Sequence, residues 1–217
     1  MKKLTVVFVL LVFVVCTKTN AQSVNDLFSA SKTQVYWLGI DYSHVRIIGD
    51  FNQFSDAGAV TPFVLKEKYF TGWNDLILAE SEKYDVKGMF RKENLILDLH
   101  AVTKINANTA TEDMETYAAP NYTKEDIEKF IYSYNFQIKE GIGLILVAEY
   151  LSKVEQKAKY HFAAVNLATN DILIYDVFEE MASGFGLRNY WARTYYDVIC
   201  QIRDQKYKYW KREYGMK

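Results

Sequence analysis

Cysteine and proline are both scarce in this chain. Its 217 residues include only two cysteines, Cys16 and Cys200, and only two prolines. Cys16 falls in an apolar stretch at the N-terminus, so removal of that stretch would leave Cys200 alone. A chain with one cysteine cannot form an internal disulfide, and its fold must be stabilised by packing. Cys200 stands in the apolar segment 198–202, which predicts a buried, unreactive thiol.

Histidine is also rare, which limits the chemistry that the sequence supports. The three histidines, His44, His100 and His161, lie far apart, and no HxH, HxxxH or CxxC spacing brings metal ligands together. No acidic DxDxDG loop and no complete nucleotide-binding or catalytic motif occurs. The sequence therefore predicts neither a metal nor a cofactor. It predicts His161 to be packed and hydrogen-bonded on a strand.

An excess of basic charge is missing as well. The chain has 26 lysines and arginines against 27 aspartates and glutamates. Removing residues 1–21 would take away lysines and no acid, so the rest of the chain is mildly acidic. A dedicated nucleic-acid binder needs a basic face for the phosphates. The composition therefore predicts no nucleic-acid partner.

Residues 1–21 have the order of a secretory signal peptide. Two lysines precede an apolar run at 4–15, and small or polar residues follow up to Ala21. The run holds about 12 residues, whereas a transmembrane helix needs about 20. We therefore predict cleavage after Ala21 and export to the periplasm or cell surface of a Gram-negative bacterium. The alternative is a surface lipoprotein anchored through Cys16, although Val15 stands where a small residue usually precedes a lipidated cysteine.

The remaining residues, 22–217, are predicted to form a single α+β domain. No later run of 18 apolar residues occurs, so no transmembrane helix is predicted after the leader. Three strands are predicted to form a meander, because their connections are too short for anything but antiparallel neighbours. A long surface connection is predicted at 106–122. The predicted strands are 34–41, a short one at 44–48, and the meander strands 143–151, 158–167 and 172–178.

Helices are predicted from capping residues and apolar periodicity. Thr61 followed by Pro62 is typical of a helix start, and so is Thr123 with Asp126 three residues later. The longest helix is predicted at 187–210, where apolar residues recur every three or four positions. Together these elements predict a two-layer domain, with a largely antiparallel sheet packed by two or three helices.

The end of the first strand carries a local group of acid, hydroxyl and imidazole side chains. Asp41, Ser43 and His44 stand within residues 41–44. A hydrolase-type enzyme with dispersed residues would bring such groups together in a pocket. Asp and Ser at a strand end more often bond the backbone of a turn, and we favour that interpretation.

A second candidate site lies where the longest helix begins. The segment 184–193 places a Gly-x-Gly turn ahead of the helix, with Arg188, Trp191 and Arg193 on its first turns. A helix N-terminus presents backbone donors to which an anion can bind. The structural alternative, which we favour, is that the glycines let the chain reverse, Trp191 packs on the sheet and the arginines pair with nearby acids. The dinucleotide pattern GxGxxG is incomplete, because position 189 is Asn.

The turn at Ala168-Thr169-Asn170-Asp171, followed by the last helix, resembles a known arrangement. It is similar to small periplasmic accessory domains of the curli-secretion and penicillin-binding-protein-activator type, although Thr169-Asn170 replaces their usual Thr-Gly pair. The leader ending Asn20-Ala21-Gln22 and the abundance of Tyr, Lys and Asn also resemble secreted proteins of unknown function from Gram-negative Bacteroidetes. Both resemblances imply export, and neither implies functional residues.

The sequence favours a binding protein over an enzyme. The chain has 17 tyrosines and four tryptophans, and exposed aromatic rings on an exported protein often recognise protein or carbohydrate partners. We therefore expect a non-enzymatic envelope domain that binds a protein or glycan, with the two residue groups above as candidate binding sites. The hydrolase and the Cys16-anchored lipoprotein are the alternatives.

Overall fold

A seven-stranded sheet forms the centre of the fold. The computed structural model of the protein describes residues 22–29, 32–54 and 56–215. The predicted signal peptide, with Cys16, lies outside the described residues. In chain order the strands are β1 (Val35–Asp41), β2 (Arg46–Ile48), β3 (Ile96–Leu97), β4 (Glu115–Thr116), β5 (Ile142–Ser152), β6 (Lys157–Asn166) and β7 (Ile172–Met181).

Two predicted helix starts are confirmed by their capping bonds. Thr61 Oγ1 accepts a hydrogen bond from the backbone N–H of Val64, and Thr123 and Asp126 form a reciprocal capping box. Within the described residues, no helix is both long and apolar enough to cross a membrane. The helices are α1 (Pro62–Val64), a π-helical segment (Leu65–Phe70), α2 (Thr71–Ala79), α3 (Val86–Phe90), α4 (His100–Ala107), α5 (Lys124–Ser133), α6 (Leu187–Gln201), a second π-helical segment (Ile202–Lys206) and α7 (Tyr207–Tyr214).

β5 is the central strand and has partners along both edges. β6 pairs with one edge in antiparallel orientation, and β7 lies beyond β6. β1 and then β2 pair with the other edge in parallel orientation, one after the other along β5. β3 extends the sheet beyond β1, and β4 extends it beyond β2. All residues of β5 are buried, which explains its nearly continuous apolar sequence.

The predicted meander is confirmed, but the prediction of a largely antiparallel sheet is wrong. β5, β6 and β7 run antiparallel, as their short connections require. The other pairings, made by β1 to β4 with each other and with β5, are all parallel. They join residues far apart in the sequence, such as Val35 and Ile142, and such pairings leave no local pattern.

Helices cover both faces of the sheet, so the predicted two-layer arrangement is also wrong. Successive residues of β5 alternate between two apolar cores, with Leu146 in one and Val147 in the other. α2, α3, α6 and α7 contribute to the first core, and α4 and α5 contribute to the second. The fold therefore has three layers, because β5 and β6 carry apolar side chains that must be buried on both faces.

The longest helical stretch lies across the meander. α6 contacts β6 and β7, and it continues through the second π-helical segment into α7. Cys200 on α6 is half-buried, whereas the sequence predicted a buried thiol. The Nη2 atom of Arg203 lies 3.8 Å from the Sγ atom of Cys200.

Candidate functional site

Two buried asparagines hold the end of β1 in place. β3 pairs with only the first part of β1, so the outer edge of its last residues has no strand partner. Asn74 on α2 accepts from the Ile40 N–H at 2.7 Å and donates to the Ile40 carbonyl at 2.9 Å. Asn106 on α4 accepts from the Tyr42 N–H at 2.7 Å and donates to the same carbonyl at 2.9 Å. These two carboxamides bond backbone groups of Ile40 and Tyr42 that have no strand partner, and they hold the end of β1 in place.

Gly39 is required for this close approach. Its backbone has φ +106°, and a Cβ atom there would lie 2.6 Å from Asn74 Oδ1. The role of Asn106 also corrects the prediction of a surface connection at 106–122, because Asn106 is buried within α4 and the segment contains β4. No local pattern in the sequence indicates that this amide reaches β1.

Asp41, the last residue of β1, is buried, and two donors occupy its carboxylate. Oδ1 accepts from the backbone N–H of Ser43 at 2.7 Å, and Oδ2 accepts from the hydroxyl of Tyr134. Burial and the negative charge of Asp41 raise the pKa of Tyr134 well above its ordinary value, so the phenol remains a donor. Asp41 therefore shapes the turn after β1, in agreement with the favoured interpretation.

His44 lies in the same turn and packs against α5. Its ring stacks on Phe130 with the centroids 3.6 Å apart, and its carbonyl accepts from the Tyr122 hydroxyl at 2.8 Å. Burial lowers the pKa of His44 below the ordinary value of 6.5, an effect that Asp41 opposes and Arg46 reinforces. The imidazole is therefore neutral at pH 7.

The hydroxyl of Ser43 is buried and has no hydrogen-bond partner among the described residues. A buried hydroxyl without a partner costs about 1–3 kcal/mol, so such a group in a native fold calls for an explanation. No Ser–His–Asp relay is formed with it, because Asp41 bonds Tyr134 and the His44 ring is stacked on Phe130. The arrangement therefore does not provide an activated nucleophile.

A cleft of about 360 Å³ opens beside Ser43 and His44, between α4 and the end of α5. Ala101 and Ile105 of α4 form its apolar part. Ligands of α/β folds commonly bind outside the carboxyl ends of the strands, and this cleft lies just beyond the end of β1. Most of its lining residues carry hydrogen-bonding groups: Ser43, His44, His100, Lys104, Asn108, Ser133, Tyr134, Asn135 and Gln137.

The second candidate site, at the start of α6, is already occupied by a side chain. Asp56 Oδ1 accepts from the Leu187 N–H at 3.2 Å, and its carboxylate lies against Gly186. The protein thus supplies its own anion at this helix N-terminus. Trp191 is 1% exposed and stacks on Phe51 with centroids 5.1 Å apart. Its ring is buried in the first core and is not available to a partner.

The two arginines of this segment are exposed but do not converge. Arg188 Nε donates to the side chain of Asn189 at 3.3 Å, whereas Arg193 Nε donates to Asp197 at 2.7 Å. Arg193 and Tyr196 line a separate cleft of about 300 Å³, and Arg188 is not among its lining residues. Arg188, Trp191 and Arg193 therefore do not form one binding site.

A chain of polar side chains crosses the sheet on the α5 side. Its centre is Glu149, a residue that was not predicted to be part of a site. Its carboxylate lies 2.5 Å from His161 Nε2 and 3.0 Å from Lys159 Nζ. His161 Nδ1 lies 2.8 Å from the Tyr175 hydroxyl, which confirms the prediction of a packed, hydrogen-bonded histidine. Burial and the charge of Glu149 raise the pKa of Tyr175 to about 12. The signal for this site was the single acid in the apolar run 142–151.

No group of three or more His, Cys, Asp or Glu residues is placed to hold a metal ion in the described part of the chain. Comparison with protein-family models found no matching family, and comparison with curated proteins found no match. The functional interpretation therefore depends on the geometry of the cleft.

Proposed function

We propose that this protein is an exported, non-enzymatic binding domain of the cell envelope, and that the cleft beside Ser43 and His44 holds one sugar-sized group of a glycan. The observation that carries the proposal is the cleft of about 360 Å³ lined in part by Ser43, a residue whose buried hydroxyl has no hydrogen-bond partner among the described residues. A bound ligand would give this hydroxyl the partner that the fold does not provide.

The lining of the cleft supports a sugar as the ligand. Ligand sites span about 300–1,000 Å³, and this cleft falls at the small end of that range. Sugar hydroxyls both donate and accept hydrogen bonds, as do the hydroxyls, the carboxamides and the neutral His44 imidazole that line the cleft. Ala101 and Ile105 offer an apolar surface for the C–H groups of the ring.

Binding has more support than catalysis. The hydrolase alternative requires Asp41, Ser43 and His44 to act on one another, and the observed hydrogen bonds join Asp41 to Tyr134 and to the backbone. Export is supported by the signal-peptide pattern of residues 1–21. The envelope location is part of the proposal.

Saturation-transfer NMR with a panel of monosaccharides and short glycans tests this function. Asn108→Trp should block the cleft, because Asn108 is exposed and lines it. Ser43→Ala should weaken binding by about 3- to 10-fold, because one hydrogen bond contributes about 0.5–1.5 kcal/mol. The matched control is Asn121→Trp, an exposed position outside the lining of the cleft.

Circular dichroism first establishes that each variant is folded. Binding by the parent protein and the Asn121→Trp control, together with its loss in Asn108→Trp, would support the proposal. The proposal fails if the parent protein binds no member of the panel, or if a bound sugar is unaffected by both cleft variants.

A further inference from the structure

We propose that the sugar-sized group bound in this cleft is anionic, with a carboxylate or phosphate held by Lys104; this inference rests on the proposed function. None of the described residues that line the cleft is an acid. Lys104 is exposed on α4, and within the described chain it has no ion pair. The one permanent charge on the cleft wall is therefore positive and uncompensated.

Two acids, Asp98 and Asp41, each stand two residues from a lining residue, and neither lines the cleft itself. Asp98 accepts a hydrogen bond from the backbone N–H of His100 at 3.1 Å. Asp41 is held in the turn after β1. Its carboxylate is buried and already accepts hydrogen bonds from Ser43 and Tyr134. Arg46 brings a positive charge to the same region, and His44 lies within the electrostatic reach of both Asp41 and Arg46. Neither Asp41 nor Arg46 is among the described residues that line the cleft, whereas Lys104 is, so Lys104 supplies the charge that a bound ligand meets.

The cleft that Arg193 lines provides an internal comparison. It also contains cationic side chains, but Lys83 lies 3.2 Å from Glu80 and Arg193 lies 2.7 Å from Asp197. Both cations there are already paired with acids on the protein. Of these two clefts, the one lined by Lys104 is therefore the one whose cation has no acidic partner among the described residues.

Hydrogen-bond donors complete the anion site. Gln137 Nε2 donates to His100 Nε2 at 2.9 Å, so Nδ1 is the ring nitrogen of His100 that can donate. The Ser43 hydroxyl has its hydrogen free. An oxyanion accepts hydrogen bonds from such donors, and charge-assisted bonds are stronger than bonds between neutral groups.

Titration calorimetry with three related probes tests the inference. Glucose, glucuronate and glucose 6-phosphate are compared at low and high salt, and the two acids distinguish a carboxylate from a phosphate. At low salt at least one acid should bind about 3- to 5-fold more tightly than glucose, as expected for one solvent-exposed charge pair. High salt should reduce the preference.

Lys104→Gln should remove the preference for the acid, so that glucose and the two acids bind the variant with similar affinities. The matched control, Lys87→Gln on α3, changes an exposed lysine outside the cleft and should leave the preference intact. Equal affinities for glucose and both acids, or a preference that survives Lys104→Gln, would overturn the inference alone. If no sugar of any charge binds the parent protein, the proposed function fails with it.

Discussion

Glu149 shows what a charged residue requires inside an apolar strand. It is fully buried, and Lys159 and His161 on the neighbouring strand contact its carboxylate. The pairing of β5 with β6 shifts between Ala148 and Tyr150, so Glu149 is the additional residue of a bulge. The bulge and the two partners together allow a carboxylate to occupy the interior.

We expect Glu149→Ala to reduce the free energy of unfolding by about 3–5 kcal/mol, because it leaves charged and polar partners buried without their carboxylate. Urea denaturation measures the loss. The control is Glu128→Ala, which removes an exposed ion pair with Lys124 and should cost less than about 1 kcal/mol. Equal losses in the two variants would mean that the buried network contributes no more than a surface pair.

At the scale of single residues, the sequence predicted those contacts whose partners lie close in the chain. Thr123 and Asp126 are three positions apart, and their reciprocal bonds were predicted correctly. The partners of Glu149 lie on another strand, and the carboxamide of Asn74 reaches the backbone of β1 from α2. Such contacts depend on tertiary structure, so the residue type alone did not reveal them.

At the scale of secondary-structure elements, the position of the end of β1 depends on side chains from two helices, α2 and α4. We expect Asn106→Ala to destabilise the protein by about 1–3 kcal/mol, because the Tyr42 N–H loses its acceptor in a buried site. The same variant should broaden the NMR signals of Ser43 and His44, which follow directly. Asn121→Ala, at an exposed position, is the control. Unchanged stability in Asn106→Ala would show that β1 does not need this clamp.

The elements themselves were predicted unevenly. The meander was found because its turns are short and its strands are consecutive. The parallel partners β3 and β4 have only two residues each, too few for periodicity to be recognised. The cleft was predicted only as the residue group Asp41, Ser43 and His44. Its other wall, on α4 and α5, is brought to β1 by tertiary packing.

For the whole molecule, the prediction of a two-layer domain was wrong, because both faces of the sheet are covered by helices. Apolar residues on both faces of β6, such as Phe162 and Ala163, belong to different cores. The sequence showed this alternation but did not show which helices lie on which face. Two cores on opposite faces explain how the fold is stabilised by packing without a disulfide in the described residues.

The proposal of export gives a prediction about the intact protein. We expect the protein isolated from the envelope of a producing Gram-negative cell to begin at Gln22, because the signal peptide is removed after Ala21. Intact-mass spectrometry measures this directly. Cys16→Ser should leave the mature mass unchanged. A lipid adduct that disappears in Cys16→Ser would instead establish the lipoprotein alternative. A full-length protein found in the cytoplasm with residues 1–21 still attached would contradict both cleavage after Ala21 and lipidation of Cys16.

The pairing of Val35 with Ile142 has a consequence for the speed of folding. The centre of the sheet cannot form until the chain has closed a loop that contains β2, β3, β4 and the helices α1 to α5. Contacts of such long sequence separation slow folding, because the entropy of loop closure is lost before the contacts are gained. Because the chain is synthesised from its N-terminus, β1 has no β5 to pair with until β5 has also been made. During that interval the unpaired backbone edge and the apolar side chains of β1 can bind chaperones or lead to aggregation.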